Sequence, residues 1–308
     1  MRSLFNKVLL DIAEKNDRIY MVLADIGYGE IEGFAERFPD RFFNVGVAEQ
    51  NMTGVACGVA MEGNIAVTYS IANFPTLRCL EQIRNDVCYH KANVKIVIIG
   101  GGLAYGALGV SHQATEDLAI MRALPDMVVL APADFAEAEA AVHAMIAHDG
   151  PVYYRCGYKK EPALHGGPID FRIGRAIQVR DGSDLTLIGT GTITYRAFEA
   201  AGILESQGVK ARVLSMHTVK PLDREAVLAA ARETRAVVTV EEHNVLGGLG
   251  GAVAEVLAEA GGGVPFLRVG LPDSYIHLVG SHNWLLDHYG FAPQAIAASA
   301  RRLLEGRQ

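Results

Sequence analysis

The chain has 308 residues, enough for two ordinary domains with cores of their own. Half of it is hydrophobic and a fifth is charged, which excludes a disordered chain. A net charge of −7, with no Lys/Arg cluster, excludes nucleic acid as the main partner.

In chain order, the first apolar pattern is helical, over residues 4–14, and no signal-peptide core precedes it. A short β-type run at 19–24 leads into Asp25, which is either a ligand contact or a turn residue beside Gly27. The stretch Asn44-Val-Gly-Val-Ala-Glu-Gln-Asn-Met-Thr-Gly-Val-Ala-Cys-Gly-Val-Ala60 then opens a helix over 49–61. Met52, Ala56 and Val59 follow Glu49 at helical offsets, so Glu49 falls on the apolar face. A carboxylate held among apolar atoms resists ionisation and can hold or donate a proton near neutral pH. The plainer alternative is a first-turn glutamate stabilised by the helix N-terminus and the Asn44 cap region.

A strand at 65–69 runs into Tyr69-Ser-Ile-Ala-Asn-Phe-Pro-Thr-Leu-Arg78, with a helix over 76–90 beyond it. Ile71 and Phe74 form either an apolar platform for a flat ligand or ordinary core packing under the loop. The strand at 94–99 is followed by Gly100-Gly-Gly-Leu-Ala-Tyr-Gly106 and then Gly109-Val-Ser-His-Gln113. Ligands of open α/β sheets gather beyond the carboxyl ends of strands, so this loop is well placed for binding. His112 within it is a candidate for proton transfer or substrate hydrogen bonding, or else a surface loop histidine. A helix at 115–123, a strand at 127–130, a helix at 133–148 and a strand at 152–154 complete the first half.

Residues 158–170 hold two prolines, two adjacent glycines and a charge cluster without apolar period, which reads as a boundary. The expected division is a first domain at 1–160, a linker at 161–170 and a second domain at 171–308. Strands are expected at 185–188, 209–214, 236–240 and 265–269, and helices at 194–206, 223–231, 251–260 and 294–304. Strand–helix alternation of this kind predicts an α/β fold of two domains, each a mostly parallel sheet with helices on both faces.

Gly189-Thr-Gly-Thr-Ile-Thr194 follows a strand and opens a helix, as a dinucleotide turn does. Its third glycine position is Thr194, and Ala211-Arg-Val-Leu-Ser215 brings no acidic ribose ligand after the next strand. Gly247-Gly-Leu-Gly-Gly251 also begins a helix; structural turns explain both better than phosphate loops do. His277, His282 and His288 are spaced by five and six, which matches no zinc pattern, so no metal site is expected in this chain. Glu241-Glu-His-Asn244 follows a strand and is a candidate second polar site. The four cysteines contain no Cys-x-x-Cys pair and suit reduced thiols in a cytoplasmic protein. The best apolar run, from Ile96, is broken by Gly100, Gly101, Gly102 and Gly106, so no membrane span is expected.

The runs Asn44-Val-Gly-Val-Ala-Glu-Gln-Asn-Met52, Tyr69-Ser-Ile-Ala-Asn-Phe74, Glu81-Gln-Ile-Arg-Asn-Asp86, Gly109-Val-Ser-His-Gln113, Met121-Arg-Ala-Leu-Pro125 and Ala131-Pro-Ala-Asp134 resemble, in order and spacing, the pyrimidine-binding domain of transketolases. The second half, through Val219-Lys-Pro-Leu-Asp223 and Glu241-Glu-His-Asn244 with Gly247-Gly-Leu-Gly250, resembles the C-terminal domain of the same family. The Gly-Asp-Gly…Asn motif of the family's third domain, which holds magnesium and the diphosphate, is not found here. The resemblance therefore implies the C-terminal subunit of a split transketolase that uses thiamine diphosphate. A separate N-terminal subunit would bind the diphosphate with Mg2+ or Ca2+, in a heterotetramer of two copies of each chain. It also implies roles residue by residue. Glu49 matches the glutamate that hydrogen-bonds N1′ of the aminopyrimidine and drives its imino tautomer. Phe74 and Ile71 match positions flanking that ring, and Asp25 a position near the cofactor. His112 matches a substrate-facing histidine, with Arg2 and Arg78 as further substrate-binding residues.

Several departures bear on the substrate. Relatives acting on phosphosugars carry an aspartate where Leu108 stands, a phosphate-binding histidine at Gly100, a serine at Gly29 and an arginine at Tyr158. Arg2 is retained, and Lys159 or Lys160 could replace the lost charge. An anion site stripped of donors binds phosphate weakly. The expectation is two-carbon ketol transfer between sugars of which one is unusual, branched or unphosphorylated. The alternatives are a 2-oxoacid dehydrogenase β subunit, a 1-deoxyxylulose-5-phosphate synthase relative, a non-catalytic scaffold subunit and, on the Gly189 turn alone, an NAD-binding protein.

Overall fold

The computed structural model describes residues 1–158 and 162–306. Its first half runs α1 (Arg2–Ala13), β1 (Ile19–Leu23), α2 (Glu32–Arg37), β2 (Phe42–Asn44), α3 (Glu49–Met61), β3 (Ile65–Ile71), α4 (Asn73–Leu77), α5 (Leu80–Gln82), β4 (Val94–Ile99), α6 (Asp117–Ala123), β5 (Val128–Leu130), α7 (Phe135–Ala147) and β6 (Val152–Cys156). The second half runs β7 (Ile177–Arg180), β8 (Leu185–Thr190), α8 (Thr194–Ser206), β9 (Ala211–Ser215), β10 (Thr218–Lys220), α9 (Arg224–Glu233), β11 (Val237–Asn244), α10 (Leu249–Glu259), β12 (Phe266–Leu271), α11 (His282–His288) and α12 (Pro293–Leu304).

Two sheets result, with strand orders β10-β5-β6-β4-β3-β1-β2 and β12-β11-β8-β9-β7. Both are parallel except for one antiparallel edge strand each, β10 on β5 and β7 on β9. The alternating side chains of β1 show why helices cover both faces of the first sheet. Ile19, Met21 and Leu23 join a core with Phe5 of α1 and Met145 of α7, whereas Val22 joins a core with Met52 of α3 and Leu118 of α6. The second sheet repeats the plan, with Leu187 facing Ala197 and Ile296, and Ile188 facing Val227 and Val253.

Three strands escape the apolar pattern. β2 has only three residues and is largely exposed, β7 is half-buried, and β10 pairs with a strand far away in sequence. β10 lies beyond the expected boundary yet closes the edge of the first sheet, Thr218 opposite Leu130. The helix expected over 76–90 is instead two short helices and a π-helical turn at Ile83–Cys88. Ile71 is the last residue of β3, and Phe74 sits in the first turn of α4.

Asp134 caps α7 through the Glu137 N–H at 3.0 Å. Its other oxygen accepts from Leu164 N at 2.8 Å and His165 N at 3.0 Å, which docks the interdomain segment on the first domain. All four cysteines are buried free thiols.

Lys95 of β4 is fully buried and donates from Nζ to the carbonyls of His148 and Gly150, both at 2.7 Å. Burial, opposed by Asp149, pulls its ammonium down from 10.5 to about 7. Between those values the unfolded chain binds more protons than the folded one, so stability rises with pH across that window. Lys95→Met removes this slope. Urea denaturation of both proteins across the window measures the difference.

Candidate functional site

The parallel strands of the first sheet deliver their following loops to one edge, and the singled-out residues stand there. Glu49 is the first residue of α3, just beyond β2 and only 4% exposed, so the carboxylate is indeed inside. It is not alone among apolar atoms: Arg78 donates from its guanidinium to Glu49 Oε2 at 2.6 Å. No side chain caps α3 directly; Glu49 stands in its first turn, and Asn44 bonds the chain that leads into it. Asn44 Oδ1 accepts from Asp25 N at 3.0 Å and from Gly46 N at 3.1 Å, joining the turn after β1 to the entry of α3.

Arg78 also lies over the Phe74 ring, 4.8 Å from its centroid, a cation–π contact. Phe74 also meets the His112 ring edge-on at 5.1 Å. His112 Nδ1 shares a hydrogen bond with Ser111 Oγ at 2.9 Å, and Asn73 Nδ2 holds the Ser111 carbonyl at 3.0 Å. The fold therefore brings Glu49, Arg78, Phe74 and His112 into one continuous row.

Asp25 is exposed and adopts a left-handed backbone, φ +54°, uncommon for a non-glycine residue. Its Oδ1 accepts from Asn44 Nδ2 at 3.1 Å and from Tyr28 OH at 2.9 Å, and these bonds hold the carboxyl below its ordinary pKa. Arg2 lines a cleft of about 230 Å³ with Gly27, Tyr28, Tyr69, Ser70, Ile71 and Tyr105. Its charge is matched by Glu30 at 2.8 Å. Leu108 is exposed at the tip of the His112 loop. Lys159 and Lys160 lie outside the described residues.

The glycine-rich turn at 247–251 of the second domain takes no phosphate-loop form. Glu241 Oε2 accepts from Leu249 N at 2.6 Å and Oε1 from Gly250 N at 2.7 Å, so a buried carboxylate already occupies the N-terminus of α10. A Cβ on Gly248 would fall 2.1 Å from Glu241 Oε2, which explains the glycine without any ligand. Sequence reasoning missed the partners of Glu242 altogether. Its Oε1 accepts from Leu103 N at 2.6 Å and faces His282 Nε2 at 2.8 Å. Burial alone would raise this carboxyl; His282, Arg155 and the Leu103 N–H outweigh it and hold the pKa below the ordinary value. The one available signal was Glu-Glu-His-Asn at a strand end. Among the described residues no cluster of His, Cys, Asp or Glu could hold a metal, and no helix is long and apolar enough to cross a membrane.

The family model for the transketolase pyrimidine-binding domain matches residues 1–158, and that for the transketolase C-terminal domain matches residues 174–296. The chain is 39% identical over 306 residues to the 6-deoxy-6-sulfo-D-fructose transketolase subunit SqwH of a Clostridium species, covering 99% of this chain and 94% of that protein. It is 36% identical over 301 residues to one of the subunits of the apulose-4-phosphate transketolase of Phocaeicola vulgatus, covering 97% and 96%. A solved structure described as a split gene transketolase, inactive beta4 tetramer, superposes with a TM-score of 0.89 at 41% identity, covering 100% of this chain and 98% of that one. The chain belongs to the transketolase family, as a transketolase-type subunit of a split, thiamine-diphosphate-dependent enzyme.

Glu241→Ala strands two buried helix N–H groups and should cost about 1–3 kcal/mol for each. Denaturant unfolding measures the loss, and the unaltered chain, whose α10 N-terminus Glu241 occupies, should show no affinity for inorganic phosphate in titration calorimetry.

Proposed function

We propose that this chain supplies the aminopyrimidine half of a thiamine-diphosphate site, and that the assembled enzyme transfers a two-carbon ketol unit between sugars. The observation that carries this reading is the buried Glu49 carboxylate, with the Phe74 ring reached from it through Arg78. The residues present fit the group: a buried carboxylate with a single hydrogen-bonded side-chain partner among the described residues, an aromatic face, and a half-buried isoleucine at the same strand edge.

Glu49, Phe74 and Ile71 would hold the aminopyrimidine of thiamine diphosphate, which when bound would supply the nucleophilic centre and electron sink that C–C cleavage of a ketose needs. The protein's part is to hold and move protons around it. Glu49 has Oε2 committed to Arg78, which leaves Oε1 to hydrogen-bond N1′ of the ring. Phe74 and Ile71 flank the ring, and Asp25, fixed by Asn44 and Tyr28, shapes the cofactor's surroundings. Arg78, about half exposed, orients Glu49 and lies over Phe74, and its free edge is available to the substrate. His112, braced by Ser111, offers Nε2 to a hydroxyl or alkoxide of the sugar.

The diphosphate and its metal, Mg2+ or Ca2+, belong to a partner chain, since this chain has no clustered carboxylates to hold a cation among its described residues. The relative solved as an inactive tetramer of one kind of subunit supports dependence on that partner. A heterotetramer of two copies of each chain completes two sites. Four buried, reduced thiols suit a cytoplasmic enzyme.

On the substrate, Arg2 is matched by Glu30, and Leu108, Gly100, Gly29 and Tyr158 stand where phosphosugar enzymes place an aspartate and three phosphate-binding donors. Two relatives carry a sulfonated sugar and apulose 4-phosphate in their names, which supports an unusual acceptor or donor.

Two experiments test this. Glu49→Ala in the complex reconstituted with its partner should lower turnover by at least about a hundredfold with assembly intact by sedimentation; unchanged turnover refutes the role. Products from free ketoses, phosphorylated ketoses and pyruvate decide the reaction. A clear preference for xylulose 5-phosphate sinks the substrate reading, and decarboxylation of pyruvate places the enzyme with the 1-deoxyxylulose-5-phosphate synthases or 2-oxoacid dehydrogenases.

A further inference from the structure

In open α/β sheets the ligand crevice lies beyond the strand ends where the order reverses, which in the second sheet is between β8 and β11. Here that crevice retains only about 20 Å³, room for about one water. What fills it comes from the first domain. Leu103, on the loop after β4, is completely buried in the second domain's core with Ile193, Leu285 and Phe291. Its N–H donates to Glu242 Oε1 at 2.6 Å, and His282 braces the same oxygen at 2.8 Å. A Cβ on Gly102 would lie 2.5 Å from Glu242 Oε1, so the loop backbone and this carboxylate are in closest approach.

The same loop carries His112. Its two limbs are pinned by the pair Gly102–Ala114, with N···O distances of 2.8 and 3.0 Å. Two further bonds come from the second domain: Asn244 N to Thr115 O at 2.7 Å and Gly280 N to Gly106 O at 3.3 Å. Between them the tip, with Leu108 and Val110, is exposed.

We propose that the second domain uses its switch-point crevice to bind this loop instead of a diffusible ligand, with Glu242 and His282 as positioning residues that set His112 against the substrate. This rests on His112 being substrate-facing. Glu242 and His282 never touch substrate; they act through Leu103 and the Gly102–Ala114 pair. The Glu49–Arg78 pair makes no contact with this loop, and Phe74 meets it through the His112 ring, so cofactor binding should respond less than sugar turnover.

The test uses the complex reconstituted with the diphosphate-binding partner. Glu242→Ala should lower kcat/KM for sugar by about a hundredfold, a loss typical of ångström-scale misplacement. The half-saturating thiamine diphosphate concentration should change far less, by about twofold, since the Glu49–Arg78 pair is kept. Glu242→Gln retains an oxygen for Leu103 N and should recover most of the activity. His282→Ala, at a site 16% exposed, is the milder variant and should act in the same direction if Glu242→Ala folds poorly. Hydrogen exchange of residues 100–114 in the full chain should quicken in each impaired variant. In a His112→Ala background, Glu242→Ala should have no further effect. Unchanged exchange, or losses that simply add, overturns the positioning role while leaving His112 a substrate residue. Full activity of His112→Ala alone overturns the assignment of His112 itself.

Discussion

One buried guanidinium ties the two sheets into one body. Arg155, on β6 and 7% exposed, contacts both oxygens of Asp117, at 2.9 and 3.1 Å. It also donates to the carbonyls of Ala114 at 3.2 Å and Glu242 at 3.0 Å. Burial opposes the charge, but Asp117 and Glu242 outweigh it and hold the arginine protonated. Removing one partner from such a pair typically costs about 3–5 kcal/mol, because a charge is left buried without compensation. Tyr153 adds its hydroxyl to Asp117 at 2.8 Å, so the carboxylate has no room to turn away. The backbone of Gly101 passes so close that a Cβ there would sit 1.9 Å from Arg155 Nε.

From that contact the division of labour between the domains follows. In the first sheet the carboxyl edge stays open, and Glu49, Phe74 and His112 gather along it. In the second sheet the equivalent positions are satisfied internally. Glu241 stands at the α10 N-terminus, where a phosphate would otherwise sit, and Leu103 fills the switch-point crevice. A domain whose ligand positions are occupied by its own chain has become a support. That fits a family in which the chemistry lies between a pyrimidine-binding domain and a diphosphate-binding one.

Glu49 shows how far local pattern reached into the site. Met52 and Ala56 at helical offsets were enough to place its carboxylate inside, and there it is. Nothing local announced Arg78, which lies 29 residues on and reaches Glu49 only because the segment after β3 returns over α3. The same limit explains the missed strands. β10 is three residues long, and its partner β5 lies nearly ninety residues earlier, so its pairing has no local periodicity to betray it. The helix expected over 76–90 is broken between Leu77 and Leu80 and ends in a π-helical turn, which no local signal marks.

The sequence by itself determined the elements with one or two buried faces, hence an α/β protein of two parallel-sheet domains, and its motifs carried the family. Those features depend on periodicity and on short runs of residues, which are local. Only the tertiary structure decided that Glu49 is paired rather than isolated, that the glycine-rich turn at 247–251 embraces a carboxylate and not a phosphate, and that Glu242 holds the loop of His112. Each of these is a contact between residues 29 or more positions apart, or a close backbone approach that a glycine permits without specifying its partner.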